Sequence, residues 1–235
     1  MLPFPPPRVV LPELPYRKPA EGEDYWILDG ALADPDGLRA RCLAKTDWIQ
    51  GYPFKPESWP GLRAIPALGE AELAPIEAWV RESTGATKLW QQVTPDGARL
   101  NHNCVQVVGE RECGPRPHTD SRALCTYAAV LYLNPSVPDG CGTSFCRQRL
   151  AGGRPGGNRV EPPHRNLVDA LGTRFVPPDS FMEDFQVPHR YNRLLLYRGN
   201  IIHTATRYWG ATLADKRMAA VFFWMAEEPG MGNRE

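Results

Sequence analysis

The sequence has no uninterrupted apolar run of about 18 residues, so nothing in it predicts a membrane-spanning helix. Lysine is also scarce, with only five among the 27 basic residues, and the 27 acidic residues cancel the positive charge. Because a net charge of zero gives no general attraction to phosphate backbones or anionic lipids, we expect no nucleic-acid partner and no membrane partner. The amino terminus lacks the basic start and apolar stretch of a secretory signal, which favours a cytoplasmic location.

Paired cysteine motifs are missing as well. The six cysteines include no CxxC pair, and Cys141 and Cys146 are separated by four residues without a second pair to complete a zinc site. Without a secretory signal, we expect reduced thiols rather than disulfides. The overall composition is that of an ordinary globular protein, with 42% apolar and 23% charged residues. A chain of 235 residues is long enough to bury a sizeable core.

Proline is concentrated at the start of the chain, with seven prolines in residues 1–22. We therefore predict a Pro-rich N-terminal arm over 1–24 that wraps the surface of a single domain over 25–235. The domain opens with a short strand at 25–28. A helix from 35 to 45 follows an Asp-Pro start signal, and apolar residues at three- and four-residue steps predict a second helix over 70–83.

Strand-like runs dominate the rest of the chain, at 88–93, 99–108, 124–133, 193–197, 201–204 and 218–225. A good turn sequence at 94–97 joins the first two runs. Glycine and proline punctuate the others and no helix follows each strand, which favours an antiparallel sandwich or barrel. The Gly/Pro-rich stretch 147–166 is predicted to be a long loop, either a lid over a substrate or a surface insertion.

One short segment, His118-Thr119-Asp120, has the spacing of a metal site. Residues i and i+2 of a strand point the same way, so the imidazole and the carboxylate can bind one ion. His203, on a strand that follows a tight glycine turn, is the best third candidate. Two histidines and one carboxylate form the facial triad of non-haem Fe(II) oxygenases. The alternative is a surface histidine and a turn aspartate, and the His-x-Asp pair alone does not decide between them.

Arg217 opens an otherwise apolar strand. Because burying an unpaired charge is costly, its guanidinium either faces solvent or meets an anion. A guanidinium binds a carboxylate through two parallel hydrogen bonds, which suits the distal carboxylate of 2-oxoglutarate.

Read in order, these features resemble the Fe(II)/2-oxoglutarate-dependent dioxygenases, most of all the prolyl-hydroxylase-like branch. The order is a His-x-Asp pair, a strand ending Leu131-Tyr132-Leu133-Asn134, a turn at 139–142, a distal histidine and a final strand led by arginine. The resemblance covers about 88–226. It implies a mainly β fold with flanking helices around a double-stranded β-helix, or jelly-roll, core. It also implies Fe(II) as cofactor, with 2-oxoglutarate and O2 as co-substrates.

The resemblance assigns roles to five residues. His118, Asp120 and His203 bind the iron, Arg217 pairs with the C5 carboxylate of 2-oxoglutarate, and Tyr132 donates a hydrogen bond to the same co-substrate. The alternative for Tyr132 is a core aromatic residue.

Four weaker candidates for substrate contact are Asn103, Arg116, Arg122 and Arg207. Arg207 is also a rival for the 2-oxoglutarate site, because the segment between His203 and Arg217 is longer than in many members of the family. The implied activity is oxidation of a C–H bond, hydroxylation by default, in a small molecule such as an amino acid or a biosynthetic intermediate. The alternatives are a jelly-roll metal-binding protein that does not use 2-oxoglutarate and a non-catalytic binding module of the same fold. The sequence does not indicate an oligomeric state.

Overall fold

The structure is a computed structural model that describes residues 11–50, 61–93, 102–174 and 176–228. The predicted turn at 94–97 and the start of the predicted strand 99–108 lie outside these residues, as do the first ten residues. Among the helices that are described, none combines the length and the apolar character needed to cross a membrane.

The described residues form eleven strands and three α-helices. The strands are β1 Tyr25–Asp29, β2 Ile49–Gln50, β3 Leu62–Ala64, β4 Lys88–Trp90, β5 Cys104–Val108, β6 Tyr127–Tyr132, β7 Gly142–Gln148, β8 Phe181–Pro188, β9 Arg193–Arg198, β10 His203–Ala205 and β11 Arg217–Glu227. The helices are α1 Pro35–Leu43, α2 Glu70–Thr84 and α3 Leu167–Leu171.

Two antiparallel sheets face each other. The larger has the strand order β1-β9-β6-β11-β5-β3-β2, with β4 also paired to β11, and the smaller has the order β10-β7-β8. Side chains of α1 and α2, including Leu38 and Ile76, pack on the outer face of the larger sheet around Leu131. Its inner face packs against Phe145 and Val187 of the smaller sheet. The fold is therefore mainly β with flanking helices and a jelly-roll core, which confirms the predicted fold class.

Local sequence accounts for both long helices. Helix α1 begins after Asp34, whose carboxylate accepts a hydrogen bond from Gly37 N at 2.8 Å, with Pro35 at the first helical position. It ends at Leu43, two residues before the predicted end. Helix α2 ends before Gly85, whose φ of 72° lies in the left-handed region that glycine adopts without strain.

The strands of the smaller sheet were the hardest to predict. The outer face of β7 carries polar residues such as Ser144 and Gln148, and this polarity is more typical of a turn than of a strand. In the structure these side chains are buried. The prediction that 147–166 forms a loop throughout is wrong at its first two residues, which belong to β7. Strand β8 carries two adjacent acidic residues, Glu183 and Asp184, and ends at Pro188, which makes a weak strand signal.

The end of β7 and the segment that follows it form hydrogen bonds and an ion pair with residues 12–24. Gln148 Oε1 accepts a hydrogen bond from Leu14 N at 2.7 Å, and the amide of Asn158 bonds the backbone of Arg17 at 3.2 and 2.8 Å. Arg159 and the fully buried Asp24 form an ion pair at 3.4 Å. Residues 156–160 are buried, so these five residues of the predicted loop are part of the packed structure and do not have the exposure of a surface insertion. The division of the chain at residue 24 stays a prediction.

Candidate metal centre

His118 and His203 are joined through their backbones. His118 N donates to His203 O at 3.0 Å and His203 N donates to His118 O at 2.9 Å, so the segment before Asp120 forms an antiparallel bridge with the edge of β10. The two ring centroids lie 4.5 Å apart. This pairing brings together two residues that are far apart in the sequence, with their rings side by side.

Both imidazoles are held in the same tautomer. His118 Nδ1 is 2.8 Å from Arg116 O, and His203 Nδ1 is 2.8 Å from Ile201 O. Because a carbonyl oxygen only accepts hydrogen bonds, each Nδ1 carries the proton and each Nε2 keeps a lone pair. A backbone carbonyl bonded to one ring nitrogen is the usual way in which a protein orients a histidine that binds a metal through the other nitrogen.

Asp120 completes the cluster. Its backbone N donates to Gly199 O at 2.8 Å, and its Oδ2 lies 3.7 Å from His203 Nε2. One ligand atom from each of His118, Asp120 and His203 lies within 4.8 Å of the other two. Oδ2 is buried and forms no hydrogen bond with any described residue. The three residues therefore fit a divalent cation that takes nitrogen and oxygen ligands.

Burial shifts the charge states of the three groups in the metal-free protein. It raises the pKa of Asp120 to about 6, against an opposing effect of His118. It lowers the pKa of both histidines to about 4, and for His118 the neighbouring His203 adds to this effect. A cation would supply the positive charge that the buried carboxylate lacks, and it would bind the neutral imidazoles directly.

Arg217 lies on the face of the larger sheet that points towards the smaller sheet. It is the first residue of β11, is only 5% exposed and forms no ion pair with any described acidic residue. The ring of Tyr208 lies 5.8 Å from its guanidinium carbon. Tyr132 is paired with Ala219, two residues further along β11, and its hydroxyl is 2.8 Å from Thr143 Oγ1. Arg207, by contrast, is exposed.

The weaker candidates occupy other positions. Both amide atoms of Asn103 bond the backbone of Leu68 at 2.8 Å, so this side chain is used in the fold. Arg122 donates to His164 O at 3.0 Å. Arg116 is exposed, and its backbone N donates to Thr204 Oγ1 at 2.9 Å. The assigned roles of the site residues, including the metal ligands, stay predictions.

Two aromatic residues at this site were not singled out from the sequence. The buried ring of Tyr197 lies 4.5 Å from that of His203. Burial raises the pKa of Tyr197, the charge of Asp120 adds to the rise, and Arg217 opposes it. The available signal was alternation along β9, which puts Tyr197 on the same face as Leu195. His189 packs against Tyr132 with ring centroids 4.6 Å apart.

Residues 15–218 match the family described as "Family of unknown function (DUF6445)". The chain belongs to this family. No curated protein matches the sequence of this DUF6445 member.

Solved structures add the fold relationship. The non-heme alpha ketoglutarate dependent carbocyclase SnoK from nogalamycin biosynthesis superposes with a TM-score of 0.53 at 18% identity, covering 91% of this chain and 85% of SnoK. The corresponding epimerase SnoN gives a TM-score of 0.51 at 15% identity, covering 90% of this chain and 87% of SnoN. The DUF6445 chain therefore has the same fold as SnoK and SnoN, which is the fold that the sequence resemblance predicted.

Proposed function

We propose that this protein is a non-haem Fe(II)/2-oxoglutarate-dependent oxygenase that oxidises a C–H bond of a small molecule. The observation that carries the proposal is the cluster of His118, Asp120 and His203, in which one ligand atom from each residue lies within 4.8 Å of the other two and each Nδ1 is bonded to a backbone carbonyl. Two histidines and one carboxylate leave coordination positions open for a co-substrate and O2. The names of SnoK and SnoN, both called alpha ketoglutarate dependent, support the same assignment.

Arg217 supports the choice of co-substrate. A buried guanidinium without an acidic partner among the described residues is costly unless an anion binds it. The C5 carboxylate of 2-oxoglutarate is such an anion, and the charge of Arg217 acts on the Tyr132 phenol, whose hydroxyl group is 2.8 Å from Thr143 Oγ1. Because Arg207 is exposed, its guanidinium has no comparable need for a ligand.

The mechanism assigns distinct tasks to these groups. His118, Asp120 and His203 would hold the iron, and Arg217 with Tyr132 would orient the co-substrate. When bound, iron and 2-oxoglutarate supply the oxidising power for cleavage of the C–H bond, with O2 as oxidant and hydroxylation as the proposed outcome. The buried rings of Tyr197 and Phe145 line the inner face and exclude water from the site.

The test measures succinate formation from 2-oxoglutarate with Fe(II), in air and under anaerobic conditions, across a panel of small metabolites. We expect succinate that depends on O2 and is stimulated by one class of metabolite, and no succinate from Asp120→Ala. Metal binding without succinate under any condition would instead indicate the metal-binding protein that does not use 2-oxoglutarate. Failure to bind either Fe(II) or 2-oxoglutarate would indicate the non-catalytic binding module.

A further inference from the structure

A row of aromatic rings connects the candidate metal centre to the edge of the larger sheet. The ring of Tyr197 lies 4.5 Å from that of His203, and the ring of Phe145 lies 5.6 Å from that of Tyr197. Tyr25 continues the row, with its ring 5.9 Å from that of Phe145. All three distances join ring centroids and lie in the range in which aromatic side chains are in contact. The row therefore has no gap between His203 and Tyr25.

The two tyrosines of this row are also neighbours through their backbones. Tyr25 of β1 is paired directly with Tyr197 of β9, and directly paired residues of antiparallel strands point to the same face of a sheet. Both side chains pack with the hydrophobic cluster between the two sheets, where Phe145 contacts both rings. The register of β1 with β9 thus holds a second tyrosine beside the one that contacts a metal ligand.

The two tyrosines differ in their exposure to solvent. Tyr197 is 4% exposed, whereas Tyr25 is partly exposed on β1, the last strand of the larger sheet. Neither phenol forms a hydrogen bond within the part of the chain that the structure describes. The phenol of Tyr25 is therefore open to reagents in solution, and that of Tyr197 is enclosed between Tyr25 and the metal centre.

Packing alone does not account for the two hydroxyl groups. A buried tyrosine hydroxyl usually has a hydrogen-bond partner, and phenylalanine would fill the same space at either position. What tyrosine adds is chemistry, because its phenol loses one electron far more readily than the ring of phenylalanine does. Electrons also move readily between aromatic rings in contact. Phe145 is not oxidised itself, and its ring bridges the two phenols.

We propose that Tyr25 and Tyr197 carry electrons from solution to the metal centre when 2-oxoglutarate is oxidised with no substrate bound; this inference rests on the proposed function. Tyr197 gives one electron to the oxidised metal centre, Tyr25 gives one to Tyr197, and the phenolic proton of Tyr25 passes to water. A thiol in solution then returns a hydrogen atom to Tyr25. Two such transfers use the two oxidising equivalents that decarboxylation leaves. In sum, 2-oxoglutarate, O2 and two thiols give succinate, CO2, water and one disulfide.

The experiment locates the radical in the sequence. The full chain is loaded with Fe(II) and 2-oxoglutarate without substrate and is exposed to air with a nitroso spin trap, which forms a covalent adduct with a tyrosyl radical. Peptide mass spectrometry then locates the adduct, and succinate is measured in the same samples. A parallel sample contains a thiol in place of the trap. Tyr16 is the internal control, since it is 44% exposed and lies against Arg147, outside the row.

Tyr25→Phe is the sharpest variant, because it removes the oxidisable phenol and keeps the ring. Its hydroxyl group has no described partner, so the variant should fold and bind 2-oxoglutarate like wild type. Tyr197→Phe interrupts the row next to the metal centre. Trp209→Phe is the matched control, since Trp209 is an oxidisable residue whose ring contacts His189, which packs on Tyr132 and not on a metal ligand.

We expect the adduct on Tyr25 to exceed that on Tyr16 several-fold in wild type and in Trp209→Phe, and to be lost in Tyr197→Phe. The amount of thiol oxidised per succinate should fall in Tyr25→Phe, and this variant should be inactivated after fewer turnovers. Equal adducts on Tyr16 and Tyr25, or undiminished thiol oxidation in Tyr25→Phe, would overturn the inference. Should Tyr197→Phe fail to fold, these two comparisons decide the question.

A failed proposed function gives a separate result, which is no succinate with any member of the metabolite panel. In that case, and also where succinate forms only with a metabolite, the Fe(II) protein is treated with hydrogen peroxide, which oxidises the bound metal without 2-oxoglutarate. An adduct on Tyr25 that depends on Tyr197 then upholds the electron path. Its absence overturns the path.

Discussion

Gly199 lies directly against Asp120. The carbonyl oxygen of Gly199 accepts a hydrogen bond from Asp120 N at 2.8 Å, and a Cβ built on Gly199 would lie 3.2 Å from Asp120 Cβ and 3.0 Å from Cys125 Sγ. Both distances are tighter than ordinary van der Waals contact. The absence of a side chain at this position therefore lets the backbone approach closely enough to fix the carboxylate beside His203.

Gly199→Ala is expected to weaken metal binding several-fold, because the added methyl group displaces Asp120 or Cys125. The measurement is calorimetric titration of Ni(II) into the variant. The double variant Gly199→Ala/Cys125→Ala should recover part of the affinity by removing the sulfur contact. Gly114→Ala is the control, since a Cβ there meets nothing within 4 Å. Wild-type affinity in Gly199→Ala would show that the site tolerates the methyl group.

Asp120→Asn should stabilise the metal-free protein while abolishing its metal binding. Burial raises the pKa of Asp120 to about 6, so the folded state binds this proton more tightly than the unfolded state does. The ionised carboxylate therefore costs stability that grows as the pH rises from about 4 to about 6, and it reaches about 1–3 kcal/mol above that range. Denaturant unfolding at pH 8 and pH 4 tests this. The variant should be more stable than wild type at pH 8, and the gain should shrink at pH 4.

Arg217→Gln is expected to weaken 2-oxoglutarate binding roughly ten- to a hundredfold, because a charge-assisted pair of hydrogen bonds is lost. Arg207→Gln, which removes an exposed arginine from the same segment, should leave this affinity within about twofold of wild type. Titration of 2-oxoglutarate into the Ni(II) protein measures both. The reverse outcome would transfer the anion site to the loop that follows His203.

Asn103→Ala is expected to lower the free energy of unfolding by about 1–3 kcal/mol, since two hydrogen bonds to Leu68 are lost in a buried place. Its φ of 52° adds to the cost, because alanine adopts the left-handed region less readily than asparagine. Denaturant unfolding measures the loss. Binding of 2-oxoglutarate should be unchanged, and a large change in that binding would restore Asn103 as a site residue.

Stability should fall at alkaline pH through three buried thiols. Burial raises the pKa of Cys42 and Cys104 to about 11 and that of Cys146 to about 12. Above pH 9 the unfolded chain loses these protons while the folded chain keeps them, so the free energy of unfolding decreases by about 1.4 kcal/mol per pH unit for each thiol. Cys104→Ala should flatten this slope between pH 9 and 10.5 and leave the slope between pH 7 and 8 unchanged.

Sequence patterns predicted the elements whose signals are local. The start of α1 at Pro35 follows from one capping residue and one proline, and the final strand β11 follows from the apolar run 218–225. The His-x-Asp segment and His203 were predicted to converge because the facial triad is a chemically narrow arrangement. For the helix and the strand, the information lies within a few residues of the feature.

The features that the sequence did not predict depend on contacts with residues far away in the chain. Strand β7 reads as polar, and only the residues that cover Ser144 and Gln148 make it an inner strand of the sheet. Asn103 is a candidate for substrate contact in the sequence, but both polar atoms of its side-chain amide bond the backbone of Leu68. Tyr25 belongs to no recognisable motif, and only the pairing of β1 with β9 puts it beside Tyr197.

The backbone bridge between His118 and His203 has an evolutionary consequence. Two main-chain hydrogen bonds set the distance between these histidines, and such bonds require no particular side chains. Most positions around the bridge can therefore accumulate substitutions without moving the imidazoles apart. Two histidines positioned by main-chain pairing can keep their arrangement while the rest of the sequence diverges.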